Sequence, residues 1–323
     1  MTHLEVEPTA VTRDDVLAAR ERIAGRLHRT PLLTSRTLSE RIGVPVSLKA
    51  ELLQRTGSFK PRGVLNVLAT LTREERDRGV IGISAGNHAQ ALAYGASLEG
   101  IECLVVMWRG ASEHKIAATR DYGAAVDLQA GDPAGAFERL HELIHETARV
   151  LVHPFDDPRT IAGQGTVALE IEEDLPDTQA IVVPVGGGGL VSGTCAAAPA
   201  GCRVVAVEPE GSQAFRRGLE AGHPVHVEPI SIADGLSAPF AGRLALATSR
   251  ERVESVLVTD GEIRDAMRFI YERAKLACEP AGAAGLAALL AGKVTLQADV
   301  PAAVVVSGGN VDAKIASAIL AGE

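Results

Sequence analysis

The sequence predicts an α/β fold built on parallel β-sheets, and three observations carry that expectation. Short apolar runs alternate with helix-patterned segments along the chain, the pattern of successive βαβ units. Several runs are apolar at consecutive positions, as strands covered on both faces are. Glycine closes many of the helical segments, where a left-handed C-terminal residue is favoured. The chain has 323 residues, at or above the usual size of one domain, so two lobes or one large unit with an ample core is expected.

The expected strands are, in order, "VSLKAEL" near residue 46, "VIGIS" at 80, "CLVVMW" at 103, "AAVDLQ" at 124 and "VLVHP" at 150. They continue with "AIVVPVG" at 180, "RVVAVEP" at 203, "VESVLV" at 253 and "AAVVVSGG" at 302. Helical patterns fall between them, among them "EERDRG", "NHAQALAYGASLEG", "HKIAATRDYG", "AGAFERLHELIHETARV" and "EIRDAMRFIYERAKLA". No fixed-period repeat, low-complexity tract or Pro/Ser-rich linker marks a boundary.

Composition narrows the function classes. A net charge of -9 with a single Trp, and no basic block carrying aromatics, argues against nucleic acid as a partner. The start "MTHLEVEPTAVTRDDV" lacks the basic and apolar regions of a signal peptide, and no apolar run approaches a membrane span. Cys103, Cys195, Cys202 and Cys278 show neither CxxC spacing nor a metal pattern, so reduced thiols in a cytoplasmic protein acting on small molecules are expected.

Three glycine-bearing stretches each follow a strand and open a helix, the place where α/β sheets bind ligands. In "AIVVPVGGGGLVSG", Gly186, Gly187, Gly188 and Gly189 let backbone N–H groups approach an anion closely, and the helix start adds partial positive charge. Phosphate is the natural guest. No Lys-Ser/Thr follows, so this is no Walker A loop, and the stretch does not fit GxGxxG. A dinucleotide reading survives because Glu208 ends the next strand about 20 residues on, where a ribose-binding acid would sit. In "ISAGNHAQALAYGA", Ser84, Gly86, Asn87 and His88 gather at a helix start, either as an ordinary cap or as a carboxylate site. "VVVSGGN" ends the last strand with Ser307, Gly308, Gly309 and Asn310, alone only a turn.

"TGSFKPRGVLN" places Lys60 at the amino end of a helix. The helix dipole repels a cation there, lowering the lysine pKa and favouring the neutral amine that carbonyl chemistry needs. Phe59 offers an apolar face for a flat ring, and Pro61 suits the first helical turn. A core Phe beside a snorkelling lysine would look the same in isolation. One such lysine with one phosphate cradle describes a pyridoxal phosphate site. A nicotinamide dehydrogenase would leave Lys60 idle, and a non-catalytic amino-acid-binding module has no use for an amine beside Phe59.

"TGSFKPRGVLN", "SAGNHAQALAYGA", "PVGGGGLVSG", "CEPAGAAGLAALLAG" and "VVVSGGN" occur in the order and approximate spacing of a known group. From "RTPLL" to "SGGNVD" the chain resembles fold type II, tryptophan synthase β-like, pyridoxal phosphate enzymes of the threonine dehydratase and serine racemase group. The resemblance implies two parallel-sheet lobes with the cofactor between them: a small lobe at 52–149 carrying Lys60 and the asparagine loop, and a large lobe from 1–51 and 150–323. It implies that Lys60 forms the Schiff base, Phe59 packs on the pyridine ring and Asn87 bonds the ring hydroxyl. Gly186 to Gly189 with Leu190 would hold the phosphate, and Ser307 would face the pyridine nitrogen. Ser84, Asn87 and His88 would bind the substrate carboxylate, in a homodimer, as is usual for the group.

The implied reaction is elimination of water from L-threonine or L-serine, giving 2-oxobutanoate or pyruvate plus ammonia, with Lys60 removing the α-proton. Alternatives are serine racemase and a dehydratase of another β-hydroxy amino acid such as hydroxyaspartate. Racemases of the group resemble "SSGNH", whose second serine acts as acid/base opposite the lysine; here that position is Ala85. A methyl group cannot relay a proton. The group's divalent-metal site is matched by Glu208 and Ser212 only, because Ala214 replaces its Asp. Pro199 interrupts the helix after the glycines, which predicts a shortened crossover. Only "VDAKIASAILAGE" follows Asn310, so no C-terminal regulatory domain is expected.

Overall fold

The computed structural model describes residues 9–322, so the amino-terminal stretch through Pro8, and with it the start of the expected large lobe, lies outside the described residues. Among the described residues, ten strands form two sheets. They are β1 (Leu32–Thr34), β2 (Val46–Ala50), β3 (Val80–Ile83), β4 (Cys103–Trp108), β5 (Ala125–Ala130), β6 (Val150–Leu151), β7 (Ala180–Pro184), β8 (Arg203–Pro209), β9 (Val253–Val258) and β10 (Ala302–Val306). One sheet runs β5-β4-β3-β6 and the other β1-β2-β10-β7-β8-β9. Apart from the β1–β2 pair, every pairing is parallel. β2, β7 and β10 are buried at every position; β7 and β10 accordingly read as unbroken apolar runs, whereas β2 carries Ser47 and the paired Lys49 among its apolar residues.

The strand missing from the expected set is β1. Its three residues follow Pro31 and pair antiparallel at the sheet edge, too short to show alternation and placed where proline is tolerated. The expected strand at 150 shrinks to the two residues of β6, beside β3. The helix expected through Ala277 ends at Phe269 and passes into a π turn, Ile270–Ala274, with Lys275 in the left-handed region. As Pro199 predicts, the helix after the glycines spans only Gly189–Ala197.

The longest helix, Pro158–Asp174 with 17 residues, carries no signal that picks it out in the sequence, since Gly163 and Gly165 interrupt its pattern. Those glycines are contact points. A Cβ on Gly163 would lie 2.5 Å from the Arg62 carbonyl oxygen, and one on Gly165 would lie 2.6 Å from that of Gly193. The helix therefore presses its backbone against two others, Pro61–Ala69 and Gly189–Ala197. The first begins just after Lys60, and the second begins within the run of four glycines.

A buried ion cluster fastens the same junction. Arg62 forks onto Glu51, with Nε and Nη2 each 2.8 Å from a carboxylate oxygen. It also reaches Glu170 with Nη1 at 2.7 Å and Nη2 at 2.9 Å. Lys49 meets Glu170 at 2.6 Å and the Thr30 carbonyl at 2.7 Å. Lys49, Glu51 and Arg62 are all but sealed from solvent. Burial works against the Arg62 charge, yet Glu51 and Glu170 together hold its pKa above the ordinary value. Burial likewise opposes the Glu170 charge, and Arg62 with Lys49 overrides it, drawing that pKa down. Two cations facing two anions with their polar atoms bonded is the arrangement that low-dielectric burial tolerates.

Removing one partner should strand the others. Arg62→Met is expected to cost about 3–5 kcal/mol in urea unfolding, with Arg62→Lys recovering only part because an ammonium cannot fork. A loss below about 1 kcal/mol, the range of an exposed pair, would show that the cluster is not a fastener.

Candidate active site

The ends of strands from both sheets open onto one cavity of about 530 Å³, within the usual range for a small-molecule site. Its lining gathers Lys60 and Phe59, Ser84 to His88, Gly186 to Leu190 and Ser307. All three loops singled out in the sequence thus meet at one place.

Lys60 occupies the N-cap position of helix Pro61–Ala69, with Pro61 in the first turn. Its Nζ donates to the Pro154 carbonyl at 2.8 Å and lies 5.2 Å from the Phe59 ring centroid. The Lys60 pKa falls to about 8, as expected in direction, but its main cause is burial of the ammonium, which Glu279 partly opposes. Phe59 serves two surroundings: it packs against the core cluster of the larger sheet and also lines the cavity. Its main-chain N–H donates to the Ser307 carbonyl at 3.1 Å, tying the lysine loop to the end of β10.

The glycine run leaves no space for side chains. A Cβ at Gly187 would sit 2.3 Å from the Phe155 ring, and one at Gly189 would sit 3.0 Å from the Phe155 backbone. Gly188 has φ +98° and caps the following helix, a conformation that favours glycine outright. The N–H groups at the start of Gly189–Ala197, Leu190 included, have no carbonyl one turn back to bond. They form a backbone cradle for an anion.

Helix Asn87–Glu99 begins at the second loop, with Gly86 as its N-cap and Asn87 in the first turn, so Asn87 is not the cap. Ser84 Oγ accepts from Gly86 N at 3.0 Å, leaving its own O–H free to donate. The His88 imidazole is buried, and Nε2 meets the Val152 carbonyl at 2.8 Å. A carbonyl only accepts, so the ring proton sits on Nε2. Burial first, and Lys60 nearby, push the His88 pKa down to about 3, so the ring stays neutral. Its one donor is spent, which leaves the main-chain N–H of His88 as its means of meeting a carboxylate.

Glu208 and Ser212 face other work. The Glu208 carboxylate accepts from Phe215 N and Arg216 N at 2.8 Å each, capping helix Ala214–Ala221, and Ser212 Oγ donates to the Leu236 carbonyl at 3.0 Å. Glu208 is fully buried, and burial pushes its pKa up to about 8. The Glu208 carboxylate is thus engaged by two main-chain N–H groups, and among the described residues no group of three His, Cys, Asp or Glu is gathered as a metal site.

Two features escaped the sequence. Glu279, in "CEPAG", is buried in the cavity wall and accepts from Asn87 Nδ2 at 2.7 Å. Burial first, then Asp234, push its pKa up to about 7. Lys115 pairs with Asp234, joining helix Glu113–Asp121 of one sheet's side to the Asp234–Leu236 turn of the other's. "CEPAGAAGLAALLAG" is one of the motifs that carry the resemblance, yet nothing in it marks the Glu279 side chain as the partner of Asn87; for Lys115 there was no signal.

A backbone anion cradle, a flat aromatic face and a partly neutral amine within one cavity fit pyridoxal phosphate, whose phosphate, ring and aldehyde need those partners. Known proteins point the same way. A family model described as pyridoxal-phosphate dependent enzyme matches residues 23–308. The chain is 42% identical over 315 residues to an L-threonine ammonia-lyase of Thermotoga maritima, covering 96% of this chain and 78% of that one. It is 40% identical over 324 residues to serine racemase of Dictyostelium discoideum, covering 98% and 100%. The fold is similar to that of maize serine racemase, with a TM-score of 0.91 at 36% identity over 95% of each chain. Matched along most of its length, the chain belongs to the family of pyridoxal-phosphate dependent enzymes.

Proposed function

We propose that the protein is a pyridoxal phosphate-dependent L-threonine/L-serine dehydratase, releasing water and then ammonia to give 2-oxobutanoate or pyruvate. The observation that carries this reading is the pairing of one amine of depressed pKa, Lys60, with Ala85 in the cavity wall, where the racemases of the group place a serine. The relatives include both a threonine ammonia-lyase and a serine racemase, so the choice between them rests on these side chains.

The cofactor supplies an aldehyde that condenses with amines and a conjugated ring that takes up the electron pair left at an α-carbon. The residues that would hold it are Gly186 to Gly189 and Leu190 at the phosphate, Phe59 against the ring, Asn87 at the ring hydroxyl and Ser307 at the ring nitrogen. Neutral Lys60 takes the α-proton of the amino acid onto Nζ. The Ser84 hydroxyl and the main-chain N–H groups of Asn87 and His88 hold the substrate carboxylate, with helix polarity assisting. Ala85 offers no proton on a second face, so the α-carbon is not reprotonated with inverted configuration.

The two sheets support a division in which residues 52–149 form a small lobe carrying Lys60 and the asparagine loop, with β6 extending its sheet to Leu151. A cytoplasmic homodimer completes the proposal. The four cysteines are buried and unpaired, as a reducing compartment allows, and no described helix is long and apolar enough to cross a membrane. The dimer rests on the family resemblance alone.

Incubation of cofactor-loaded protein with L-threonine, and separately with L-serine, is expected to yield 2-oxo acid and no D-amino acid; Lys60→Ala should remove both the covalent link and the activity. D-serine appearing as fast as pyruvate would replace this reading with a racemase. The pH dependence of cofactor attachment is a second check. Only the neutral amine attacks, and its fraction grows as pH rises through the pKa. Attachment to the cofactor-free protein should therefore rise through pH about 8 and level off, rather than climb toward 10.5.

A further inference from the structure

Asn310 joins the lysine loop to the asparagine loop. Its Nδ2 donates to the Thr56 carbonyl at 2.7 Å and to Asn87 Oδ1 at 2.8 Å. Thr56 is held at φ +59°, a left-handed conformation that costs a residue with a side chain, four positions before Lys60. Around it the 307–310 loop runs along the lysine loop: Gly309 N donates to the Gly57 carbonyl at 2.9 Å, and Ser58 bridges Gly308. A Cβ on Gly57 would lie 2.7 Å from Asn310 Oδ1, so the amide is seated against bare backbone.

The chemistry of these contacts fixes which way each amide points. The Thr56 carbonyl can only accept, so the Asn310 atom facing it is the nitrogen. Its second hydrogen must meet an acceptor, which makes the facing atom of Asn87 the oxygen. Asn87 Nδ2 then turns to Glu279 Oε1 at 2.7 Å, and its other hydrogen is left for a group in the cavity. We infer that Asn310 is a positioning residue that sets the amide orientation of Asn87, so that Asn87 presents a donor rather than an acceptor to the bound cofactor. This inference rests on the reading of Asn87 as a contact of the ring hydroxyl.

Asn310→Asp has nearly the same shape but inverts the pattern. A carboxylate accepts where Asn310 donates, so it would face the Thr56 carbonyl with no hydrogen to give and would compete with Glu279 for the Asn87 NH₂, drawing that donor away from the cavity. Asn310→Ala leaves the Asn87 amide oriented by Glu279 alone.

The test measures pyridoxal phosphate affinity by equilibrium dialysis for the full chain carrying Asn310→Ala, Asn310→Asp, Asn87→Ala and the double variant Asn87→Ala/Asn310→Ala, with the melting temperature of each cofactor-free protein as a fold control. Expected are a roughly tenfold weakening for Asn310→Ala, a larger one for Asn310→Asp, and a double variant no weaker than Asn87→Ala, because neighbours acting through one group are not additive. Affinity unchanged in Asn310→Ala and Asn310→Asp, or losses that add in full, would overturn the inference and leave Asn310 as a loop staple. An Asn87→Ala protein that binds as wild type would instead overturn the ring-hydroxyl reading beneath it, and failure of the wild type to bind would overturn the cofactor assignment itself. Should Asn310→Ala not fold, the near-isosteric Asn310→Asp decides by itself: weakened binding supports the inference, and wild-type binding ends it.

Discussion

Everything at this site depends on how closely helix Pro158–Asp174 approaches its two neighbours. The reactive amine and the anion cradle sit on different stretches of chain, more than a hundred residues apart, and neither touches the other through the backbone. Both helices that follow them lie against the same third helix, with Gly63, Gly163, Gly165 and Gly193 at the crossings. A methyl group at Gly163, Gly165 or Gly193 would meet a carbonyl oxygen or backbone atom within about 2.6 Å, so the spacing has little room to vary. Close-packed interiors transmit such constraints rather than absorbing them. The ion cluster around Arg62 adds direction to closeness: a forked guanidinium on Glu51 fixes rotation of the lysine helix about its axis, which packing of small residues alone would leave loose.

This division explains what the sequence disclosed and what it withheld. That Lys60, the four glycines, Asn87 and Ser307 come together in one cavity was legible from a helix start and a tight turn, with the family resemblance adding Ser307, whose stretch alone reads only as a turn. Nine of the ten strands in the described residues were legible as short apolar-rich runs between helical patterns; β7 and β10, buried at every position, are apolar throughout. Helix Pro158–Asp174 was not, because the glycines that its packing demands are the residues that lower helix propensity. Lys49, Glu51, Arg62 and Glu170 carry no pairing signal in the sequence. Their neutralising partners lie up to 121 residues away, and no local pattern announces a buried pair. The depressed Lys60 pKa was anticipated from the helix start, but burial is its larger cause, a quantity that only three-dimensional packing defines.

Charge within the cavity follows a common scheme. On the proposed reading, the two anions to be held, a phosphate and an amino-acid carboxylate, would face main-chain N–H groups at the starts of helices Asn87–Glu99 and Gly189–Ala197 instead of arginines. Dipoles bind anions without adding net charge. Of the lysines in the lining, Lys115 is committed to Asp234, which leaves Lys60 and Glu279 as the groups whose protonation can change near neutral pH. Burial moves them in opposite directions, one down to about 8 and the other up to about 7.

Such a cavity makes the basicity of Lys60 responsive to what is bound. A fixed arginine near the amine would hold its pKa low whether or not substrate were present, and would weaken it as a proton acceptor throughout. With dipoles in that place, Lys60 stays largely able to lose its proton in the empty cavity, where nucleophilic attack is required. On the proposed reading, a substrate carboxylate held there would add negative charge nearby and raise the amine's affinity for a proton, when it is to take one from the α-carbon. Glu279 supports the same sequence from the other side: its charge favours protonated Lys60, and its own tendency to protonate limits how far that influence extends. The amine can thus serve as nucleophile and as base in turn without a second titrating residue beside the α-carbon, and a wall built of Ala85 is compatible with elimination for that reason.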